Sequence, residues 1–548
     1  FGNLTSAANA LGSTVTTDDE TDYYTYPKKV TNALGQSIQY VYEPKFGAVK
    51  STTDTNGNTS STTYDSLARV LQVKNAYNQV VTTYSYPDFN TKTTTNALGL
   101  FKTEYIDGLG RKYKTVSSGE DGTSARNVSS EVFYNSRGLT DKESLAHYVD
   151  EGPAQISFVR YEYDIRGRVK KTISDFPGTS ADAESSGNYI NPLYTETTDP
   201  LGHRKGTLKD AWGNIVEVTE FTSDGVFKTD YLYDAQNNLI KTTDNQGNIT
   251  RIFYDSLGRK LKMVDPDMGT WTYEYDLVGN LRKQTDAKGQ MLEFKYDELN
   301  RLTKKTRDDG RGLPAGKAGK KDEVNYIYDE PPEVKENCIG RLSKVIDQSG
   351  STEFFYDKLG REVKSVKTIA DSVERRAYSV EREYDIQNRL KKLTYPDGEV
   401  VQYSYDTHSG LLEKVFSPSS KLQALSSYVQ DITYNAKAQI KTISYGNNTK
   451  TAYTYGQDLR LSRILTQGTT SLQDLNYVFD KNGNVTILTD NRRSNIRTYA
   501  YDDLDRLTRA ENLPSPAGGY ANFDYRYDSI GNMTYKSDVG VMAYGQSA

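Results

Sequence analysis

The stretch IFYDSLGRKLKMVD, residues 252–265, brings a phenol, a carboxylate, a guanidinium and two ammonium groups together within a few positions. A carboxylate held beside a reacting group can act as a general acid or base. Tyr254, Asp255 and Arg259 are therefore the first candidates for a reactive site in this sequence. The competing interpretation is a polar hairpin corner with no chemistry of its own, and the rest of the chain has to decide between the two.

The other residues that could carry chemistry are few and scattered. His147, His203 and His408 are the three histidines; no two have metal-ligand spacing, and we expect all three to be solvated loop or turn residues. Cys338 is the single cysteine, which excludes a disulfide framework and a thiolate zinc site. GxSxG, Walker-type and HExxH motifs are absent, and the DPLG segment at 199–202 is interpreted as a turn. The sequence therefore predicts no catalytic residue, no metal site, no cofactor and no enzyme.

The Tyr-Asp pair of the opening stretch belongs to a repeat. Such pairs begin at residues 233, 254, 275 and 296, at intervals of 21 residues. A second motif, T-[D/N]-x-x-G, falls between them, as at residues 243–247 and 285–289. Self-similarity at a fixed period indicates a repeat architecture, so the polar corner is interpreted as a structural part. We assign this structural motif to Tyr254, Asp255, Gly258, Arg259, Tyr275, Asp276, Gly279, Tyr296, Asp297, Asn300, Arg301, Tyr356, Asp357, Gly360 and Arg361.

The residues between the two motifs alternate as β-strands do. Tyr-x-Tyr recurs, for example at 231/233, 273/275 and 403/405, and residues two apart share one face of a strand. In the turn, Asp takes the first position, where its carboxylate can accept backbone N–H bonds, and the fourth residue must be left-handed. Gly is commonest there, and Asn237, Asn300, Asn388 and Asp505 replace it, in the order of tolerance for positive φ. Ala68 is the exception and should cost its hairpin about 1 kcal/mol.

Composition fits an ordered wall with little core. Hydrophobic residues make up 35% of the chain and the mean hydropathy is −0.73, too low for a thick core, yet aromatic residues reach 11%, too high for a disordered chain. The formal net charge of −5 gives no electrostatic footprint for nucleic acid. No apolar run approaches the ~18 residues that a membrane span needs. We therefore expect no nucleic-acid partner and no membrane span.

The repeat predicts an all-β fold, in which repetitive antiparallel β-hairpins form a continuous spiralling sheet that closes into a large hollow barrel or shell. Roughly 16 units give about 32 strands, and a twisted open sheet rarely exceeds ~10 strands without curling. Residues 1–548 are interpreted as a single repeat region, with the regular 21-residue repeats clearest at 226–306. Loop insertions are predicted near residues 117–130, 142–158, 176–193, 307–323, 329–338, 417–430 and 511–523.

The chain alternates Tyr-Asp-x-x-Gly-Arg units with T-[D/N]-x-x-G over nearly its whole length. This pattern resembles the YD/RHS repeats of bacterial rearrangement-hotspot proteins, of the cocoon-forming subunits of insecticidal Tc toxins and of animal teneurins. The resemblance implies a hollow shell that, in the bacterial members, encloses the toxic C-terminal region of the same polypeptide. It also implies an exported bacterial protein, secreted or at the cell surface, that acts in interbacterial competition or as an insecticidal-type toxin. Other subunits of a secretion or toxin complex are further expected partners.

The same resemblance implies that the chain is truncated at both ends. Residues 1–5 look like the tail of a repeat unit, and residues 531–535 lead into no terminating domain. The family's core-end domain, with its self-cleavage region, and the toxin region are then expected to follow residue 548.

Two other functions compete with the shell. The teneurin resemblance also permits a cell-surface adhesin, in which outer-face Tyr and loop residues bind glycans or another cell. Tyr here follows the strand repeat and does not cluster in the loops, which favours the shell. An enzyme built on a β-solenoid would need a cluster of acids or bases that breaks the repeat, and the sequence shows none.

Overall fold

The computed structural model describes residues 4–20, 25–120, 123, 126–176, 183–308, 322–330, 335–370, 375–418, 427–514 and 519–544. Within these ranges the regular secondary structure is β-strand, apart from one 3-10 helix at Pro153–Gln155, and turns join the strands. The all-β prediction is confirmed.

The strands are β1 Ser6–Ala8, β2 Thr14–Asp19, β3 Pro27–Thr31, β4 Ser37–Tyr42, β5 Val49–Thr53, β6 Thr59–Tyr64, β7 Val70–Lys74, β8 Val80–Asp88, β9 Thr91–Asn96, β10 Phe101–Ile106, β11 Lys112–Ser117, β12 Val128–Tyr134, β13 Thr140–Ser144, β14 His147–Tyr148, β15 Phe158–Tyr163, β16 Val169–Asp175, β17 Ala183–Tyr189, β18 Tyr194–Thr198, β19 Arg204–Lys209, β20 Ile215–Thr222, β21 Gly225–Tyr233, β22 Leu239–Thr243, β23 Ile249–Tyr254, β24 Lys260–Asp265, β25 Gly269–Tyr275, β26 Leu281–Thr285, β27 Met291–Tyr296, β28 Leu302–Asp308, β29 Asp322–Tyr328, β30 Leu342–Asp347, β31 Gly350–Tyr356, β32 Glu362–Ala370, β33 Arg375–Tyr384, β34 Leu390–Thr394, β35 Val400–Tyr405, β36 Leu412–Phe416, β37 Ser427–Tyr434, β38 Ile440–Tyr445, β39 Lys450–Tyr455, β40 Leu461–Gln467, β41 Ser471–Phe479, β42 Val485–Asp490, β43 Asn495–Tyr501, β44 Leu507–Pro514, β45 Tyr520–Tyr527, β46 Met533–Lys536 and β47 Gly540–Val541.

These strands form one antiparallel sheet of 47 strands. Each strand pairs with the next along the chain, except that β13 pairs with β12 and β15 while the short β14 pairs with β12. The sheet is therefore a ribbon of consecutive hairpins, as the repeat predicts. The predicted count of about 32 strands is too low, because strands also run through the segments where the repeat is irregular.

The predicted loop insertions are shorter than their sequence suggests. Residues 183–189 form β17 although they fall inside the predicted insertion 176–193, and residues 427–430 open β37 inside the insertion 417–430. β17 has the sequence AESSGNY, which lacks an apolar alternation, and its ladder bonds to β16 and β18 hold it in the sheet. Residues 121–122, 124–125, 177–182, 309–321, 331–334, 419–426 and 515–518 of the predicted insertions lie outside the described residues.

Two kinds of turn alternate along the ribbon. We call the turns that follow a strand ending in the Tyr of the repeat YD tips, and the turns at the T-[D/N]-x-x-G motif and its equivalents TD tips. Tyr254 pairs with Lys260 across a register shift, so the YD tip is a tight turn followed by a bulge. Because consecutive turns of a meander lie at opposite edges, all YD tips occupy one edge of the ribbon and all TD tips the other.

The ribbon winds on itself about twice. Asn56, at the TD tip between β5 and β6, donates a hydrogen bond to the carbonyl of Ile339, at the YD tip between β29 and β30, which is 24 strands further along. With ~4.8 Å between strands, such a winding is about 115 Å around and about 37 Å across. Opposite walls are then several times further apart than the ~10 Å of packed sheets, so the sheet surrounds a space.

Ladder hydrogen bonds do not close this sheet into a barrel, which corrects one detail of the predicted fold. In the described residues, extensive strand contacts are made between neighbours in the ribbon, and the two windings meet through side chains of their tips. The physical reason is the direction of the strands. Strands run from one edge of the ribbon to the other, so each winding offers the next a row of turns and no free strand edge.

The wall is one sheet thick and has almost no core. Tyr148, Cys338, Val401 and Ala510 are the buried hydrophobic side chains of the described residues. Most side chains are half-buried against their cross-strand neighbours, which agrees with the low apolar content.

Ala68 gives the first testable prediction. It occupies the fourth position of its YD tip with φ +62°, where Cβ clashes with the backbone. Ala68→Gly should raise the stability of the β6–β7 hairpin by roughly 0.5–1 kcal/mol, since part of the relief is offset by the greater freedom of Gly in the unfolded chain. Hydrogen exchange of the β6 and β7 amides measures this. Ala235→Gly, at the second position of another YD tip, is the matched control and should give no gain; equal gains would contradict the strain at Ala68.

Candidate functional site: the hairpin corners and the winding seam

The carboxylate of Asp255 organises its corner. Its Oδ1 accepts the N–H groups of Leu257 and Arg259, both at 2.9 Å, and its Oδ2 accepts Arg259 Nε at 2.6 Å. Gly258 N donates to the Asp255 carbonyl at 3.0 Å, and Gly258 has φ +75°, the left-handed conformation that the turn requires. Both oxygens of the carboxylate accept hydrogen bonds from its own turn, so this Asp ties a corner and is not poised to take a proton from a substrate.

Arg259 joins this corner to the next one. Its Nη1 donates to the carbonyl of Asp276 at 3.1 Å, and its guanidinium lies over the ring of Tyr275, 5.2 Å from the ring centre. The Tyr275 hydroxyl in turn donates to the carbonyl of Lys260 at 3.0 Å. Arg259 thus pairs with Asp255 in its own hairpin and also clamps that hairpin to the next one. The sequence indicates this contact through its 21-residue period, because that spacing places the next Tyr-Asp pair beside each Arg.

The other motif residues repeat this geometry, each at its own corner. Tyr296 and Tyr356 donate to the carbonyls of Leu281 and Leu342, at 2.9 and 2.8 Å. Gly279, Asn300 and Gly360 have φ of +102°, +61° and +77°. The carboxylates of Asp276, Asp297 and Asp357 accept bonds from Asn280 Nδ2, Arg301 Nε and Arg361 Nε, at 2.9, 2.7 and 2.7 Å. The structure therefore spreads these residues along one edge of the sheet and brings no set of them together as a reaction centre.

The seam, defined as the contacts between TD tips of residues 9–247 and YD tips of residues 297–531, holds the two windings together. Its clearest contact is a reciprocal pair in which Asn56 Nδ2 donates to the Ile339 carbonyl and Ile339 N donates to Asn56 Oδ1, both at 2.9 Å. Asn58 Nδ2 donates to Asn337 Oδ1, also at 2.9 Å. The side-chain amide of Asn56 offers a donor and an acceptor, as a backbone peptide group does. The TD tip therefore bonds to the next winding with the kind of paired hydrogen bonds that join two strands.

A second seam contact contains a histidine, contrary to the prediction for these residues. His203 Nδ1 lies 2.9 Å from Asp199 Oδ2 in its own TD tip, and its Nε2 lies 3.6 Å from Asp503 in the next winding. Asn482 Nδ2 donates to Asp199 Oδ2 at 2.6 Å. The DPLG segment is a turn, as predicted, and it carries this histidine into the seam.

The other two histidines and the cysteine lie apart. His147 is buried in β14, where its Nδ1 lies 2.9 Å from the Leu145 carbonyl, so the prediction of a solvated residue is wrong for it. His408 is exposed, as predicted. Cys338 is buried in the loop that carries Asn337 and Ile339 into the seam. His147 is held by pairing with Ser129 of β12, a contact outside the repeat motif, so the motif carries no signal for its burial.

The described residues contain no group of three His, Cys, Asp or Glu side chains arranged to hold a metal ion. Over the same ranges, no helix has both the length and the apolar character to cross a lipid bilayer. The chemistry of the tips is thus one of hydrogen bonds and ion pairs between neighbouring turns.

The tip carboxylates predict how stability depends on pH. The Arg259 backbone N–H holds the pKa of Asp255 below its ordinary 3.8, and side-chain donors from Arg111 and Asn238 do the same for Asp107 and Asp234. A folded pKa below the unfolded value gives stability that is present above pH ~4 and lost as pH falls through the lowered pKa. The melting temperature should therefore be nearly flat from pH 7 to 5 and fall steeply below pH 4. A melting temperature that is unchanged between pH 4 and pH 2 would contradict this.

Comparisons with known proteins agree with this geometry. The RHS Repeat family matches residues 233–270 and 275–311. A comparison with curated proteins gives no match. Among solved structures, "Crystal Structure of TcdB2-TccC3" aligns with 95% of this chain and 32% of that one at TM-score 0.82 and 18% identity. The crystal structure of TcdB2-TccC3-Cdc42 aligns with 95% of this chain and 34% of that one, at TM-score 0.81 and 17% identity.

A third match is the structure of a Photorhabdus luminescens Tc holotoxin pore carrying a TccC3 mutation, with TM-score 0.80 and 17% identity over 96% of this chain and 34% of that one. The chain thus spans about a third of the length of the chains that it matches. At such identities the likeness is one of fold. Together with the repeated corner geometry, it shows that this chain has the fold of the TcdB2-TccC3 structures and that residues 233–270 and 275–311 are RHS repeats.

Proposed function

We propose that this chain is a non-catalytic wall of an exported bacterial shell that encloses a toxic or effector segment of the same polypeptide. The observation that carries the proposal is the thickness of the wall. Its strands contact their neighbours in the ribbon while the windings meet at their tips, so both faces of the sheet are left to solvent or cargo. An inner face that packs against no second layer adds little to the stability of the fold. Such a face is explained if it surrounds an enclosed segment.

The tips also suit a container. Each Asp-Arg corner is tied to the next, and the seam joins the windings through side chains, so the ribbon gains rigidity without a core. A catalytic function would require side chains free to act on a substrate, and the motif carboxylates are occupied by donors of their own turns. One matched structure is a Tc holotoxin pore, and another is TcdB2-TccC3 without its hypervariable C-terminal region. That region belongs to those proteins, and the proposal transfers the arrangement to this chain.

The test is protease protection in the polypeptide that the gene encodes, which the proposal requires to continue beyond residue 548. Trypsin should leave the segment after residue 548 intact while the fold lasts, and should digest the same segment made alone. The variant Asn56→Ala/Asn58→Ala/His203→Ala opens the seam and should speed digestion several-fold. Lys262→Ala, on an exposed strand position, is the matched control and should not change it.

Digestion of the segment at the rate of the free segment would overturn the container. Binding of the isolated chain to glycans, with no protected segment in the full polypeptide, would instead establish the adhesin.

A further inference from the structure

The repeat is broken on both sides of one stretch of the seam. On the first side, residues 145–157 leave the ribbon pattern and contain the short β14 and the 3-10 helix. They reach the next winding at two points: the Tyr148 hydroxyl lies 3.5 Å from the Tyr434 carbonyl, and Ser157 Oγ donates to the Gln457 carbonyl at 3.1 Å. Tyr148 and Ser157 are both buried, in a wall where few side chains are.

The two YD tips at these contacts also depart from the repeat. In the tip between β37 and β38, Asn435 stands in place of Asp and Gln439 in place of Arg. In the next YD tip, Gly456 stands in place of Asp. The first turn is kept, because Asn435 Oδ1 accepts the N–H groups of Lys437 and Gln439, both at 3.0 Å. What these two tips lack is the carboxylate that Asp255 gives its own corner.

A cleft of about 390 Å³ lies between these two tips and residues 146–155. Sites for small ligands commonly have volumes of roughly 300 Å³ and more. The charged residues of the lining are Arg126, Glu151, Lys437 and Lys441.

Arg126 brings no uncompensated charge to the cleft. Its Nη2 lies 3.5 Å from Glu120 Oε2 and its Nη1 lies 3.8 Å from Asp150 Oδ1. Its guanidinium also lies over the ring of Tyr148, 3.7 Å from the ring centre. The positive charge available to a ligand therefore comes from the lysines.

Lys437 is an unusual residue for its place in the fold. It takes the third position of its tip, where other YD tips carry an apolar residue: Leu299, Leu359, Leu504 and Ile530. The side chain is half-buried, and among the described residues its Nζ makes no hydrogen bond or ion pair. Burial lowers the pKa of Lys437 below its ordinary 10.5, and the charge of Glu151 opposes that shift. An ammonium that is partly removed from water without a counter-ion costs free energy, so a ligand that supplies the counter-ion would be stabilised there.

We propose that the cleft binds a carboxylate, whose oxygens accept hydrogen bonds from Lys437 Nζ while the exposed Lys441 adds a second positive charge. Glu151 in the same lining favours a ligand with one negative charge over a phosphate group with nearly two. The neutral Asn435 and Gly456 fit this assignment, because an Asp at either position would place a competing charge at the cleft. The carboxylate belongs either to a free small acid or to an acidic residue of a peptide. The site is formed by this chain alone and does not depend on an enclosed segment.

Saturation-transfer NMR at pH 7 with the chain of 548 residues tests the site. Butyrate is the probe for a free acid, and acetyl-Gly-Glu-Gly-amide is the probe for an acidic residue; butyramide and acetyl-Gly-Gln-Gly-amide are their neutral counterparts. At least one of the two acids should bind and the neutral counterparts should not, and the acid that binds more tightly identifies the source. Lys437→Met should weaken binding at least tenfold. Asn435→Asp restores the residue that the repeat uses in this turn, and it should weaken binding several-fold while the fold is kept.

Lys481→Met is the matched control, because Lys481 is an exposed lysine of another YD tip and lies outside the cleft; it should leave binding unchanged. The melting temperature of Lys437→Met should not fall, since the substitution removes a charge that has no partner. Failure of both acids to bind, equal losses in the two Lys→Met variants, or tighter binding of inorganic phosphate than of either acid would overturn the proposal. A lower melting temperature of Lys437→Met with unchanged binding would also overturn it, because the lysine would then have only a structural role. None of these results depends on protease protection of an enclosed segment, so the two proposals can fail separately.

Discussion

Replacing Lys335 with Met should destabilise the loop at residues 335–341 by roughly 2–4 kcal/mol. The Lys335 ammonium is buried, lies 2.7 Å from Glu330 Oε2 and 3.4 Å from Glu353 Oε2, and donates to the Ser343 carbonyl at 3.1 Å. Removing one partner of a buried pair leaves the other charges uncompensated. The two carboxylates are 21% and 32% exposed, so water screens part of the cost and the range lies below that of a fully buried pair.

The loss should appear in thermal melts and in hydrogen exchange of β30 and β31. Lys335→Met/Glu330→Gln should recover part of the stability, since one buried charge is then removed with its partner. Lys364→Met is the matched control, because Lys364 is 39% exposed and its partner Glu381 is 51% exposed; it should cost well under about 1 kcal/mol. Equal costs for both lysines would show that burial of Lys335 plays no part.

Gly258→Val should weaken the β23–β24 hairpin by roughly 2–3 kcal/mol, and Gly258→Asn by less than about 1 kcal/mol. The backbone at Gly258 has φ +75°, which a β-branched residue adopts only under strain. A Cβ there also comes within 3.2 Å of Asn238 Oδ1, so that side chain must give way for either residue. Asn already stands at the equivalent positions 237, 300 and 388, with φ between +61° and +65°.

Hydrogen exchange of the β23 and β24 amides measures the Gly258 effect locally, because each repeat is stabilised mainly by its neighbours. The β39 and β40 amides, far along the ribbon, serve as an internal reference. Gly108→Val is the matched control: Gly108 occupies the second position of its YD tip without a left-handed φ and has open space around it, so Val should have little effect there. Equal protection in the Val and Asn variants of Gly258 would contradict the turn assignment.

Much of the corner is readable from sequence because it is local. Asp255 and Gly258 lie within four residues of the groups they bind, so the motif that encodes them is short and its repetition makes it visible. The number of strands was underestimated for the opposite reason. Segments such as residues 183–189 lack the motif and are held in the sheet by ladder bonds to both neighbours, which a search for the motif does not count.

By itself the sequence determined the hairpin, its turn conformation, the alternation of two kinds of tip and the need for so long a ribbon to wind. Tertiary structure alone decided where the ribbon meets itself, because a winding returns 24 strands later and the contacts of Asn56, Tyr77 and His203 span about 280 to 300 residues. Such contacts depend on the twist and curvature accumulated over the whole ribbon. A repeat of 21 residues fixes the shape of each corner, whereas small angles summed over many corners decide which corner each one meets.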